Sequence, residues 1–264
     1  MKKLLGLTLA FAALLVMVGC DGEVTLSAPE NFTIAAATSE IDVVLDWDEV
    51  TDEIDGYYVY FNTAAVGTVT TAGYTDMDPQ ETGSYYVTAY LDEDESDPST
   101  TESTAPYIAD NITLAEINAS GNSGLGWDRT DGSATTYTMA DATNAAFIDF
   151  YFSDWAVGFT GPDYNFISPD LVETDPGVTW GMSGTWNQTG FTVALTDPFD
   201  DVILLPGSGY TNSQIADQTN AAYGVYTSGG YFGMVEVKSI NLTTGEVEVR
   251  VAFQPVSGLR ILEH

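Results

Sequence analysis

The sequence predicts an all-β protein built as two consecutive sandwiches, a small N-terminal one and a larger C-terminal one. Three observations predict it. Apolar and polar residues alternate with period two over short segments, as in Ile41-Asp42-Val43-Val44-Leu45-Asp46-Trp47-Asp48. Runs of β-branched and aromatic residues recur between turn signals rich in Gly, Asp, Asn and Pro. No long stretch repeats with the 3.6-residue period of a helix. With 264 residues, 44% of them apolar and 12% aromatic, the chain has enough core material for one or two domains.

The first twenty residues are read as an address. Lys2 and Lys3 precede an uncharged, mostly apolar run from Leu4 to Val18, followed by Gly19-Cys20. That is the layout of a secretory signal, with a run too short for the ~20 residues of a membrane-spanning helix. Val16-Met17-Val18-Gly19-Cys20 resembles a bacterial lipobox, with Met17 departing from the usual residue. The resemblance implies cleavage after residue 19 and acyl chains on Cys20, the one cysteine of the chain, anchoring residues 20–25 to a lipid bilayer. No disulfide within the chain is then possible. Bacterial cell-envelope placement follows, with the outer membrane or cell surface favoured. Asp21 leaves the inner membrane open.

Residues 26–104 are expected to form the first sandwich. Ile41, Val43, Leu45 and Trp47 supply one buried face. Tyr57-Tyr58-Val59-Tyr60-Phe61 follows the turn signal Asp55-Gly56. Tyr85-Tyr86-Val87-Thr88-Ala89-Tyr90 is entered through Gly83-Ser84, and Asp97-Pro98 closes the unit. Together with Ala28-Pro29-Glu30-Asn31-Phe32, these segments resemble a fibronectin type III domain, in which Tyr85 falls near the tyrosine corner. The acidic run from Asp92 to Asp97 is read as a solvated turn between the last two strands.

Residues 107–264 are expected to form a larger sandwich or jelly-roll, with long loops across 160–220. The clearest hairpin joins Tyr231–Ile240 to Glu246–Gln254 through Asn241-Leu242-Thr243-Thr244-Gly245. It puts Val247, Val249 and Val251 on one face, with Glu248 and Arg250 on the other. The order of Gly126-Trp127-Asp128, Asp149-Phe150-Tyr151-Phe152, Ala222–Thr227 and a terminal hairpin closing on Gln254 resembles HmuY-like haem-binding envelope lipoproteins. That resemblance implies the fold and not the haem, because His264 is the only histidine. Met139, Met182 and Met234 are read as core filler.

Charge and residue supply narrow the chemistry. Six Lys and Arg stand against 39 Asp and Glu, a formal charge of −33, which disfavours nucleic acid as a partner. Neither a Ser-His-Asp nor a Cys-His arrangement can be assembled, and the imidazole and thiolate ligands of zinc are missing. An ordinary catalytic role is therefore not expected, and no cofactor. Ca²⁺ on Asp128 and Asp131 is a metal possibility, against a turn with an internal ion pair to Arg129, and the acidic run from Asp92 to Asp97 is a weaker one. Lys238 is read as a pair partner of Glu236. The candidates for ligand binding are loop aromatics, Trp155, Tyr164, Trp180, Trp186 and Tyr210, whose faces suit sugar rings or apolar ligands. The expected function is an envelope lipoprotein whose second domain binds a glycan or other small ligand without catalysis. Three alternatives stand beside it: a purely structural or protein-interaction lipoprotein, an apolar-ligand or haem binder without histidine, and a glycosidase using a carboxylate pair.

Overall fold

The computed structural model describes residues 25–154, 164–175, 178 and 184–264. Cys20 and the whole signal segment, Trp155, Trp180 and Met182 lie outside the described residues. Every strand pairing within the sheets is antiparallel, and the fold class is all-β as expected.

The first sandwich packs a three-stranded sheet on a five-stranded one. The smaller sheet is ordered β1 (Thr33–Ala36), β2 (Val43–Asp46), β5 (Tyr74–Asp76). The larger runs β4 (Ala64–Val69), β3 (Gly56–Phe61), β6 (Ser84–Leu91), then β7 (Asp94–Glu95) and β8 (Glu102–Ser103), which pair with opposite ends of β6. The residues between β7 and β8 keep the edge paired, because Ser96 and Ser99 donate their N–H groups to the Ala89 and Val87 carbonyls. Their hydroxyls accept the N–H of Ala89 and Val87 in return, at 2.9 and 3.1 Å. The acidic run is thus a hairpin, and Glu95 accepts hydrogen bonds from the Tyr60 and Thr88 hydroxyls.

Alternation sorts Val43, Leu45 and Trp47 as the sequence predicts, whereas Ile41 lies before β2 and is only partly buried. Val43, Leu45 and Trp47 meet Tyr57, Val59, Tyr85, Val87 and Ala89 between the sheets. Tyr85 is fully buried, and its hydroxyl donates to the Asp76 carboxylate at 2.7 Å. Tyr58 stacks on Tyr90 and Tyr60 on Tyr86 across the outer face. Such cross-strand pairs stabilise a sheet by about 0.2–1 kcal/mol each.

The second sandwich packs two five-stranded sheets. One is ordered β11 (Ala134–Tyr137), β10 (Gly124–Trp127), β12 (Phe150–Ser153), β13 (Asn165–Ile167), β15 (Ser213–Ile215). The other is ordered β14 (Thr189–Ala194), β16 (Ala222–Thr227), β17 (Phe232–Asn241), β18 (Glu246–Phe253), β9 (Tyr107–Ala115). Leu125, Trp127, Phe150, Phe152 and Phe166 of the first face Phe191, Tyr223, Val225, Val235 and Val249 of the second. The hairpin β17–β18 forms where expected, with strand ends within one residue of those predicted, Asn241 accepting the N–H groups of Thr243 and Thr244 and Gly245 at φ +71°. That φ costs glycine nothing and strains other residues.

Two features of this domain differ from the expectation. Residues 164–220 are not simply loop: short strands β13, β14 and β15 and single helical turns at Pro169–Thr174 and Phe199–Asp201 occupy much of it. The central strands of the second sheet are also covered on both sides. Phe199, Val202, Leu205 and Leu262 pack on Ala222, Phe232, Met234 and Ala252, away from the main core. Period-two patterning fades where both faces are buried.

After β18 the chain returns to the first sandwich. Val256, Leu259 and Ile261 enter its core, exposed 7%, 0% and 3%. Thr82 donates its N–H and hydroxyl to Glu263, at 3.0 and 2.7 Å. The two sandwiches are thus fastened by the last residues of the chain as well as by the connection near residue 105.

Candidate functional site

A groove of about 550 Å³ opens at one end of the second sandwich, where β14 and β16 begin and end and the loop before β15 crosses them. One wall is aromatic. Tyr226, at the end of β16, is 39% exposed and lies 4.7 Å from Phe232, ring centre to ring centre. Tyr210 is half-buried, with its ring 5.8 Å from Tyr226 and 6.1 Å from Phe232. The Tyr210 ring crosses Gly190 so closely that a Cβ there would come within 2.7 Å of the tyrosine Cβ. Glycine at 190 is required by that approach. A two-way backbone pairing of Phe191 with Thr211 ties the loop to β14. The Tyr210 hydroxyl donates to the Pro206 carbonyl at 2.8 Å, and burial pushes its pKa up.

The opposite wall is polar and cross-braced. Ser168 donates its hydroxyl to Asp170 and accepts the Thr189 N–H at 2.8 Å. Gln188 donates to the other carboxylate oxygen of Asp170 at 3.2 Å. The Ser168 N–H donates to the Asn212 carbonyl at 2.8 Å. Thr189 lies between the walls, 4% exposed, and its hydroxyl oxygen has no hydrogen-bond partner. Asp170 is the only acid or base among the described lining residues apart from the two tyrosines. Such a wall suits an uncharged ligand rich in hydroxyls.

The predicted site residues divide. Tyr210 is in the groove. Trp155 and Trp180 are outside the described residues. Tyr164 is elsewhere, half-buried and stacked on Phe152 at 5.1 Å. Its hydroxyl is raised in pKa, first by burial and then by Asp154 and Glu116. Trp186 corrects the expectation of an exposed indole. It is 8% exposed and packs in a core cluster with Ile117, Met139, Ile148 and Tyr151. Met139 and Met234 are core residues, exposed 1% and 0%. Sequence reasoning missed Tyr226, Asp170 and Gln188. The signal available for Tyr226 was its place at the end of a strand, beside the Ser228-Gly229-Gly230 turn.

Asp128 and Asp131 shape a turn, accepting the N–H groups of Thr130 and Ser133 at 2.7 and 2.9 Å. Hydrogen bonding from Ser133, through its side chain and its backbone, lowers the Asp131 pKa. No group of three or more His, Cys, Asp or Glu able to hold a metal ion occurs among the described residues. The ion pair expected inside this turn is absent. Arg129 reaches out of it to Asp149, which is 1% exposed and also accepts the Trp127 N–H. The Lys238–Glu236 pair is present, at 3.4 Å. A second cleft of about 500 Å³ lies between the two sandwiches, lined by Tyr107, Glu102, Arg129 and Ser257 among others. Two of its guanidinium nitrogens are already engaged by Asp149 and the Trp127 carbonyl.

No family model matches the chain. It is 26% identical to exoglucanase B of Cellulomonas fimi over 196 residues, which take in 71% of this chain and 16% of that protein. The chain therefore spans less than a fifth of the length of that relative. Among solved structures, a fibronectin type III-like protein from Clostridium thermocellum is 20% identical, with a TM-score of 0.27. That alignment covers 30% of this chain and 90% of the other. A structure described as FN3tt mut is 15% identical, with a TM-score of 0.27, covering 30% of this chain and 94% of the other.

Proposed function

We propose that the protein is a cell-envelope lipoprotein, anchored through Cys20, whose second sandwich binds a neutral glycan without catalysis. The observation that carries the reading is one groove lined by Tyr210 and Tyr226 and by the cross-braced Ser168, Asp170 and Gln188. A sugar ring has an apolar C–H face for the tyrosines and hydroxyls for the opposite wall. Uronic acids and sulfated sugars fit poorly, since the groove contributes a carboxylate and no cation. The similarity to a protein named as an exoglucanase favours glucans within the neutral class. The first sandwich would hold the groove away from the bilayer. Affinity electrophoresis of residues 21–264 through gels with soluble neutral β-glucan tests the reading. Retardation is expected, reduced about tenfold in affinity by Tyr226→Ala, equivalent to 1.4 kcal/mol. Unretarded migration through every neutral glycan tried defeats it.

A further inference from the structure

We infer that Arg260 is a positioning residue for the groove, through which the first sandwich sets the place of Tyr210; this rests on the glycan-binding reading above. The Leu205 side chain packs on the second sheet, and the backbone of Ile203–Leu205 is hydrogen-bonded to the tail of the chain. Arg260 accepts the Leu205 N–H at 3.0 Å through its carbonyl, and its Nη1 donates to the Leu205 carbonyl at 2.5 Å. Leu262 donates its N–H to the Ile203 carbonyl at 2.8 Å, and Leu204 pairs with Ile261. The guanidinium carbon lies 3.3 Å from where a Gly207 Cβ would be, so the loop turns directly over the cation.

From that clamp the chain reaches the groove within a few residues. Pro206, Gly207, Ser208 and Gly209 are all exposed. The Tyr210 hydroxyl closes this excursion on Pro206, next to the clamped Leu205. Tyr210 therefore takes its position from two anchors, the Phe191–Thr211 pairing on one side and Arg260 on the other.

The other face of Arg260 belongs to the first sandwich. Its N–H donates to the Glu40 carbonyl at 2.9 Å, and its Nε lies 3.1 Å from Glu40 Oε2. The Nε meets the carboxylate as a charge pair without hydrogen-bond alignment. Glu40 adopts φ +63°, a left-handed conformation unfavourable to glutamate. Strain of this kind persists where the surroundings over-determine it, here in the turn that presents Glu40 to the tail. The path Glu40, Arg260, Leu205, Pro206, Tyr210 is a continuous set of hydrogen bonds and chain neighbours from one domain to the binding wall.

Arg260→Met keeps the apolar stem and the backbone bonds of the tail and removes the guanidinium contacts to the Leu205 carbonyl and Glu40, and Arg260→Lys restores the charge toward Glu40. Hydrogen exchange of residues 21–264, read by mass spectrometry without ligand, should show faster exchange across 203–211 in Arg260→Met. Exchange in the β17–β18 hairpin should stay as in the wild type. In the glucan gels, affinity should fall about tenfold. Combined with Tyr210→Ala the loss should not add, because the guanidinium acts only through that ring. Arg260→Lys should recover part of the affinity. Unchanged exchange at 203–211, or a loss of affinity fully additive with Tyr210→Ala, overturns the inference. If the wild type binds no glucan, the functional reading fails by itself, and the exchange data still decide whether Arg260 holds the loop.

Discussion

Gln254 and Thr104 stand 150 positions apart and meet in the interior, the glutamine Nε2 donating to the threonine carbonyl at 3.0 Å. The same nitrogen donates to the Ile261 carbonyl at 2.6 Å, and the Gln254 Oε1 accepts the Val256 N–H at 3.0 Å. The side chain is fully buried. It joins the end of the first sandwich, the end of the last strand and the returning tail at one point. A buried amide with its partners satisfied fixes geometry more than it adds stability.

Removing residues 255–264 should therefore destabilise the first sandwich most, with a smaller loss in the second, where Leu262 leaves its outer layer. Val256, Leu259 and Ile261 leave the core of the first, and burying an aliphatic side chain is worth about 1.5–3 kcal/mol. Three such losses approach the whole stability of a small domain, about 5–15 kcal/mol. Calorimetry should show an early transition for the truncated chain, absent in the full one. A single transition at the original temperature would mean that the tail is passive.

Local pattern explains what was legible beforehand. The strand through Val43 and Leu45 and the hairpin β17–β18 show in the sequence because alternation and turn chemistry are properties of neighbouring residues. The groove was not legible, because Tyr210, Tyr226 and Asp170 come from three separate segments. Trp186 misled for the same reason. Glycines around it resemble a loop, whereas its burial depends on Ile148 and Tyr151 arriving from another part of the chain. The exchange of partner by Arg129, from its own turn to Asp149, is likewise a tertiary event.

That Arg129–Asp149 pair gives a second prediction. Burial pushes the Asp149 pKa up, while the Arg129 guanidinium and the Trp127 N–H pull it back. Arg129→Met leaves a carboxylate inside β10 and β12 without its cation. Breaking a buried pair from one side costs about 3–5 kcal/mol, and the lower end applies because Arg129 is partly exposed. Urea unfolding should show the loss at pH 7 and a smaller one at pH 5, where the unpaired acid takes up a proton more readily. An equal loss at both pH values would contradict the ionic account.

Salt should stabilise the fold. With a formal charge of −33, folding brings carboxylates together, and their repulsion is screened as the Debye length falls from about 30 Å at 0.01 M to about 10 Å at 0.1 M. The melting temperature should rise across that range in NaCl. Titration with CaCl₂ at matched ionic strength should follow the same curve if Ca²⁺ acts only as a counterion. A saturable extra rise at micromolar Ca²⁺ would instead indicate a specific site.

Alkali should unfold the protein through its tyrosines. Tyr85, Tyr151 and Tyr223 are at most 1% exposed, and burial is the first cause raising each hydroxyl above the ordinary value of 10.0. Asp76 beside Tyr85 and Asp175 beside Tyr151 raise them further. Tyr60, partly shielded and bonded to Glu95, is pushed up to about 12. In each case the native state keeps a proton that the unfolded chain releases near pH 10. Stability linked to these groups is therefore complete below pH 10 and is lost as the pH climbs toward their native values. Absorbance at 295 nm should rise in two stages. The later stage, from the buried hydroxyls, should be a steep step that coincides with loss of the β-sheet circular dichroism. Tyr85→Phe should cost about 1 kcal/mol at pH 7, from the lost bond to Asp76, yet flatten the decline above pH 10. Smooth titration of all 15 tyrosines near pH 10 with the fold intact would show that these hydroxyls reach water without unfolding.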